Sequence, residues 1–278
     1  MNIGIVGLGL MGGSMAKSVK FKTGHSVFAI DIDKETMMLA NLCGAMDGEL
    51  SCDTIKECEV IFLALRPKYA EDWLCENGKY ISSETVVVDF CGVKKLLAER
   101  LEKLAEEYGF CYVGGHPMAG KERGGFKNST EDLFVGASMI LTPDANTTPE
   151  TLETLRALFY DVGFSRIEYT TPEEHDRIIA YTSQLAHIVS SSYVKSDSAT
   201  KQRGFSAGSF RDMTRVAYLD EEMWTELFLD NRENLLREID VLLTNLQDYK
   251  DALEEGSSEK LKKLLKEGKE CKIKAGGN

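Results

Sequence analysis

Three glycines near the start of the chain limit its fold more than any other feature. In "GIVGLGLMGGSMAKSV", residues 4–19, Gly7, Gly9 and Gly12 form G-x-G-x-x-G directly after an apolar run and at the opening of a helical pattern. Gly7 permits a tight turn, Gly9 lets backbone approach a pyrophosphate, and Gly12 lets helix and strand pack closely. Leu8, Leu10 and Met11 fill out the turn, where free N–H groups and the positive end of the helix dipole favour phosphate. A second apolar run ends in "FAIDID" and sets Asp31 at its tip. A carboxylate there accepts hydrogen bonds from ribose hydroxyls and repels a 2′-phosphate, so NAD is expected in preference to NADP. Lys34 nearby keeps NADP open, and Asp33 reads as a turn acid.

The first half alternates short apolar runs with amphipathic segments. Strands are expected at residues 3–6, 26–31, 60–65, 85–89, 110–113, 137–141 and 166–169, with helices at 10–20, 34–42, 67–76, 93–108 and 149–160. The early runs are continuously apolar, as in a sheet covered on both faces. The expected class is α/β: an N-terminal Rossmann-type, doubly wound, mostly parallel sheet plus an all-α C-terminal domain. Thr171 reads as an N-cap, Pro172 as the first helical residue, and Glu173 and Glu174 as first-turn acids. Residues 1–170 are thus expected to form an NAD-binding domain and 171–278 a helical domain for substrate binding and dimerisation. A helical pattern runs from 221 to about 255. The tail "SSEKLKKLLKEGKECKIKAGGN" reads as a solvated, lysine-rich helix ending in flexible residues.

A net charge of −12 argues against a nucleic-acid partner, which needs a basic stripe. Seven cysteines, an odd number without a C-x-x-C pair, imply reduced thiols and neither a disulfide framework nor a metal site. The longest apolar run, residues 60–65, is too short to cross a bilayer. With a first strand expected from residue 2, no room is left for a targeting segment, and a cytoplasmic location is expected.

The chemistry centres on "GGHPMAGKERGGF", residues 114–126. Pro117 pushes His116 into an extended conformation, so the imidazole continues its strand toward the ligand crevice at the C-terminal strand ends. An imidazole can accept a hydroxyl proton as hydride leaves the same carbon. Taken alone, His116 reads better as a structural histidine. Three further stretches change that: "VVVDFCGVKK", ending a strand at Asp89; "HDRIIAYTSQLAHIVSS", with Gln184 and His187 three apart on one helix face; and "GFSAGSFRDMTRVAYLDEEMWTELF", with Arg211, Arg215 and Trp224.

With "HPMAGKERGG", this set resembles the prephenate and arogenate dehydrogenases of tyrosine biosynthesis from residue 2 to about 250, through the motifs H-P-M-A-G-x-E and F-x-D-x-T-R. The resemblance implies oxidation of a cyclohexadienyl acid by NAD, with loss of the ring carboxylate as CO2. It implies that His116 accepts from the substrate hydroxyl, that Arg215 holds a substrate carboxylate, and that His187 is a second substrate-site histidine. Trp224 becomes an aromatic residue at a site completed by a partner subunit, and Gly208 a point of close backbone approach. A homodimer follows from the same resemblance. No regulatory module is expected, because the chain ends too soon after residue 250 to hold one.

Two substrate positions depart from the family pattern. Gly92 stands where many members have serine, and Gln184 where histidine is common; Gly124 also replaces a serine. Several readings stay open. Arg211 is an alternative substrate arginine or a partner of Asp212, His187 a satisfied core histidine, and Trp224 simple packing. His175 and His25 read as surface residues, and Glu122 as a residue fixing the loop. The leading activity is NAD-dependent conversion of prephenate to 4-hydroxyphenylpyruvate. The alternatives are arogenate dehydrogenation, an imine or β-hydroxyacid reductase, and a non-catalytic NAD-binding protein.

Overall fold

Continuous apolar runs become strands buried on both faces because helices cover the sheet from both sides. The computed structural model describes residues 1–276, so the last two residues of the expected flexible end, Gly277 and Asn278, lie outside the described residues. The sheet half is built from β1 (Asn2–Val6), α1 (Leu10–Lys22), β2 (Ser26–Ile30), α2 (Lys34–Leu42), β3 (Gly48–Glu49), β4 (Val60–Leu63), α3 (Pro67–Asn77), β5 (Val86–Asp89), α4 (Lys95–Tyr108), β6 (Cys111–Pro117), β7 (Ser138–Thr142), α5 (Pro149–Asp161) and β8 (Arg166–Tyr169). The eight strands form one sheet in the order β3-β2-β1-β4-β5-β6-β7-β8. Neighbours are parallel except β6 and β7, which run antiparallel.

One face buries Met15 and Val19 of α1 with Leu155 and Phe159 of α5; the other buries Leu74 of α3 with Leu97 and Leu101 of α4. Each large apolar side chain so buried contributes about 1.5–3 kcal/mol. The register levels the strand ends: Val6 pairs with Ile30 and Leu63, Leu63 with Asp89, and Asp89 with Gly114. The turn after β1, Asp31, and the residues beyond β5 and β6 therefore share one edge. The chain reverses direction of winding between β1 and β4, where such folds hold ligands.

Strand β6 runs four residues past the expected end at 113. Residues 111–114 pair with β5 and residues 114–117 with β7, so His116 lies inside the ladder opposite Ile140. The pairing partner is distant in sequence, while the extended backbone at His116 is what its place before Pro117 implies. The two-residue β3 has no pattern of its own.

The helical half comprises α6 (Pro172–Ile179), a π-helical turn (Ala180–Leu185), α7 (Ala186–Tyr193), α8 (Gly208–Thr214), α9 (Glu221–Asp230), α10 (Arg232–Glu254) and α11 (Ser258–Lys274). Thr171 caps α6 by accepting from the Glu174 amide. The single helical pattern read across 221–255 is two helices. Asn231 breaks it, its buried side-chain amide donating to the Asp176 carbonyl and to Gln184 Oε1, both at 2.8 Å. The two halves are joined beside the strand ends. Arg66 pairs with Asp220 and Glu222, the Lys68 amide donates to Glu226, and those of Lys94 and Lys95 donate to Asp176. Among the described residues no helix is long and apolar enough to cross a membrane.

Candidate active site

At the nucleotide end, Gly7 adopts φ +86°, a left-handed conformation that side chains avoid. A Cβ on Gly12 would stand 1.9 Å from the Gly7 carbonyl oxygen, so only glycine lets α1 start there. A Cβ on Gly9 would meet nothing within 4 Å: this side of the turn opens into free space. Leu10, Met11 and Gly12 begin α1, where first-turn amides lack intrahelical partners, and no side chain caps them. Asp31 is half-buried. Its Oδ2 accepts from the Leu8 amide at 2.6 Å and its Oδ1 from the Asp33 amide at 2.9 Å. The Leu8 amide thus braces the turn against Asp31, while the remaining carboxylate lone pairs stay available for hydroxyls. Asp33 caps α2, accepting from the Glu35 and Thr36 amides. An open backbone cradle, bare helix amides and a terminal carboxylate fit a dinucleotide.

At the chemical end, His116 is half-buried on the extended part of β6. Its glycines do not make a turn. A Cβ on Gly115 would stand 2.6 Å from the Asp89 carbonyl oxygen, and one on Gly114 would stand 2.2 Å from Thr142 Oγ1. They let β5 and β7 close on the strand that carries the histidine. The turning glycine is Gly125, at φ +89°. It leads into Phe126, which packs against Gly13 and beneath the Lys17 ammonium, so the loop after His116 folds onto the helix of the nucleotide turn. Glu122 is exposed. The loop is tied instead by Lys121, donating to the Asn128 carbonyl, and by Asn128, donating to that of Gly124.

Beneath His116 lies a buried polar network. Lys94 and Asp89, both without exposed side chain, form an ion pair; Tyr112 donates to Asp89 Oδ2 at 2.7 Å. His175, expected at the surface, is 2% exposed. Its Nε2 lies 2.9 Å from His116 Nδ1, and its own Nδ1 lies 2.7 Å from Asp176 Oδ1. The misreading has a physical cause: the polar first turn of α6, "PEEHD", is pressed onto the start of α4, where Asp176 accepts the Lys94 and Lys95 amides at 2.8 and 2.9 Å. Burial, then His175 and the Lys94 cation, hold the His116 imidazole well below its ordinary range. His25, also read as a surface residue, is half-buried beside the N-terminal amine.

Gly92 faces His116: a Cβ there would lie 3.9 Å from its Cε1 and 3.6 Å from a Leu227 methyl. Gln184 is buried behind, donating to the Leu227 carbonyl at 3.0 Å and accepting from Asn231. It anchors α9 against the site. His187, just past the π-helical turn, packs tilted by 46° against Trp224 at 3.9 Å between centroids and donates from Nδ1 to the Val216 carbonyl. Burial holds the His187 imidazole below its usual range, with Arg215 adding to the effect. Arg215, at the end of α8, is exposed, as is Gly208 at its start. Arg211 makes a long 3.9 Å contact with Asp212 on the surface. The structure thus forms two groups, His116 with Gly92 at the strand ends and His187 with Trp224 and Arg215 on the helical side, with Leu227 and Gln184 bordering the first. Lys94, His175, Asp176 and Asn231 are the members sequence reasoning missed. Their only signal is local polarity at three helix starts. Among the described residues no cluster suited to a metal ion is found.

Comparison with known proteins places the chain. The family description "Prephenate dehydrogenase, nucleotide-binding domain" matches residues 15–168, and "Prephenate dehydrogenase, dimerization domain" matches residues 171–267. The chain is 30% identical to prephenate dehydrogenase of Bacillus subtilis, over 96% of this chain and 74% of that one. It superposes on prephenate dehydrogenase of Aquifex aeolicus, solved with hydroxyphenyl propionate and NAD+, with a TM-score of 0.85, 30% identity and 99% and 98% of the two chains covered. For arogenate dehydrogenase of Synechocystis the values are 0.83, 28%, 99% and 100%.

Proposed function

We infer that this chain, which belongs to the prephenate dehydrogenase family, converts prephenate to 4-hydroxyphenylpyruvate by NAD-dependent oxidative decarboxylation. The observation that carries the reading is His116, held inside a strand at the ligand edge of the sheet while the loop after it folds onto the helix of the nucleotide turn. Residues 1–170 hold the dinucleotide and 171–278 complete the substrate site. The open side of Gly9 and the amides of Leu10, Met11 and Gly12 receive the pyrophosphate, and Asp31 the ribose hydroxyls. NAD supplies the hydride acceptor.

His116 accepts the hydroxyl proton. Arg215 pairs with a substrate carboxylate, as a planar guanidinium does best. His187 donates its Nδ1 proton to a carbonyl, which leaves Nε2 of the neutral ring as an acceptor. A second copy of the chain covers the exposed apolar face near Arg215, forming a homodimer.

Formation of NADH with prephenate or arogenate, each with NAD or NADP, tests this. Prephenate with NAD is the expected pair. Turnover with arogenate alone would transfer the reading to that substrate, and turnover with neither would end it. His116→Asn should lower kcat by about 10²–10⁴ with NAD affinity unchanged; retention of most turnover would remove His116 from the chemistry.

A further inference from the structure

We propose that Asp176 and His175 act as positioning residues that fix the tautomer of His116, keeping its Nε2 unprotonated and free to face the reacting hydroxyl. The inference rests on the reading of His116 as the base. It starts from Asp176, whose carboxylate accepts the Lys94 amide on Oδ1 and the Lys95 amide on Oδ2, at the positive end of α4. Held there as an anion, it can only accept. His175 Nδ1, at 2.7 Å, must therefore carry a proton.

A neutral His175 then has a lone pair on Nε2, and burial, which lowers the affinity of this ring for protons, favours the neutral form. The 2.9 Å contact to His116 Nδ1 needs one proton, which only His116 can supply. His116 is thus the Nδ1–H tautomer, with its lone pair on Nε2. When Nε2 takes the hydroxyl proton, the O–H bond breaks, an N–H bond forms, and the new positive charge is shared through the Nδ1–H···Nε2 bond toward His175 and Asp176. This matters because burial, any charge on His175 and the Lys94 cation all oppose charge on His116 itself, so the neutral His175 serves as an acceptor. The arrangement also spans the molecule: His116 belongs to β6, while His175 and Asp176 belong to α6. The base is set correctly only when the helical half is docked.

The test needs no substrate. With ¹⁵N-labelled histidine the chain shows only four imidazoles, assignable one at a time by substitution. Long-range ¹H–¹⁵N spectra at neutral pH should show both His116 and His175 as Nδ1–H tautomers. His116 found as the Nε2–H tautomer would overturn the proposal. In turnover, His175→Asn keeps an amide to donate to Asp176 but withdraws the contact to His116. It should lower kcat by about 10- to 100-fold, the scale seen when the partner orienting a working histidine is lost, with little change in KM. His175→Gln, which restores an acceptor near the original Nε2, should recover part of that loss. An unchanged kcat in His175→Asn would also overturn the proposal. A wild-type chain that turns over neither cyclohexadienyl acid would end the functional reading, while the spectra would still decide the tautomer.

Discussion

The sheet half and the helical half finish their surfaces to different degrees. In the first, Ile3, Ile5 and Phe62 are fully buried, and the strands close two continuous cores. In the second, α8, α9 and α11 bury no residue completely, α10 buries only Leu235 and Ala252, and Phe205 and Tyr218 stand 94% and 87% exposed. The difference follows the division of labour. Everything that shapes the nucleotide turn lies within one copy and one sheet, whereas Arg215 and Gly208, proposed for substrate, sit on the exposed helical surface. The nucleotide turn is therefore complete within one copy, while the helical half leaves large apolar side chains uncovered.

The comparison can be broken most severely from inside the sheet half. Lys94→Met leaves Asp89 as a buried, unpaired carboxylate beneath His116, and should cost about 3–5 kcal/mol of unfolding free energy in denaturant titration. A loss below about 1 kcal/mol would mean that the strand ends are less closed than their burial indicates.

On the helical side the expected effect is smaller and of another kind. Arg215 is exposed in a single copy, so removing it leaves no buried charge behind. Arg215→Ala should keep the folding free energy and raise KM by about 10- to 100-fold, matching the about 1.5–3 kcal/mol of a charge-assisted hydrogen bond. A drop in stability instead would show that the arginine already serves the fold.

A pH series sharpens the boundary between the halves. His25, His116, His175 and His187 are all held below the ordinary histidine range, burial being the first cause in each. Below a pH of about 6.5 the unfolded chain takes up protons that the native one refuses. Stability should therefore be level above that value and fall on acidification, by at most about 1.4 kcal/mol per pH unit for each buried ring. His116→Gln should flatten the slope more than His25→Gln, since His116 sits in the joint and His25 at the edge. Equal slopes would place the acid-sensitive step elsewhere.

What was legible in the sequence divides along the same line. The glycine turn, Asp31 and the continuous strands are local features whose residues dictate their own geometry. His116 was legible through its motif, but its setting was not. β6 is held in its extension by pairing with β7, a contact invisible from "GGHP", and Gly114 and Gly115 serve the close approach of β5 and β7. His175 reads as exposed from the polarity of its neighbours, but one of them, Asp176, bonds across the joint to α4 and to Asn231 at the start of α10. The break at Asn231 has the same origin. Local pattern reports periodicity; it does not report which polar side chain will find a buried partner from another element.

Gly92→Ser is the smallest expected perturbation and the finest probe of how the halves meet. The glycine has no positive φ, and a Cβ would make ordinary contacts, 3.6 and 3.7 Å to the Leu227 methyls and 3.9 Å to His116 Cε1. Leu227 comes from α9 and His116 from β6, so the added atoms enter the seam between the halves without forcing it. Unfolding free energy should change by no more than about 0.5 kcal/mol. The hydroxyl would lie beside the imidazole, at the position where the family resemblance implies a serine, and KM should shift by a few-fold, less than about 10-fold, with kcat kept within the same range. A destabilisation of about 2 kcal/mol or more would mean that α9 presses on the strand ends more tightly than these distances indicate. The helical half would then be rigidly seated in a single copy, and the contrast between a finished sheet and an unfinished helical layer would hold only for its outer face.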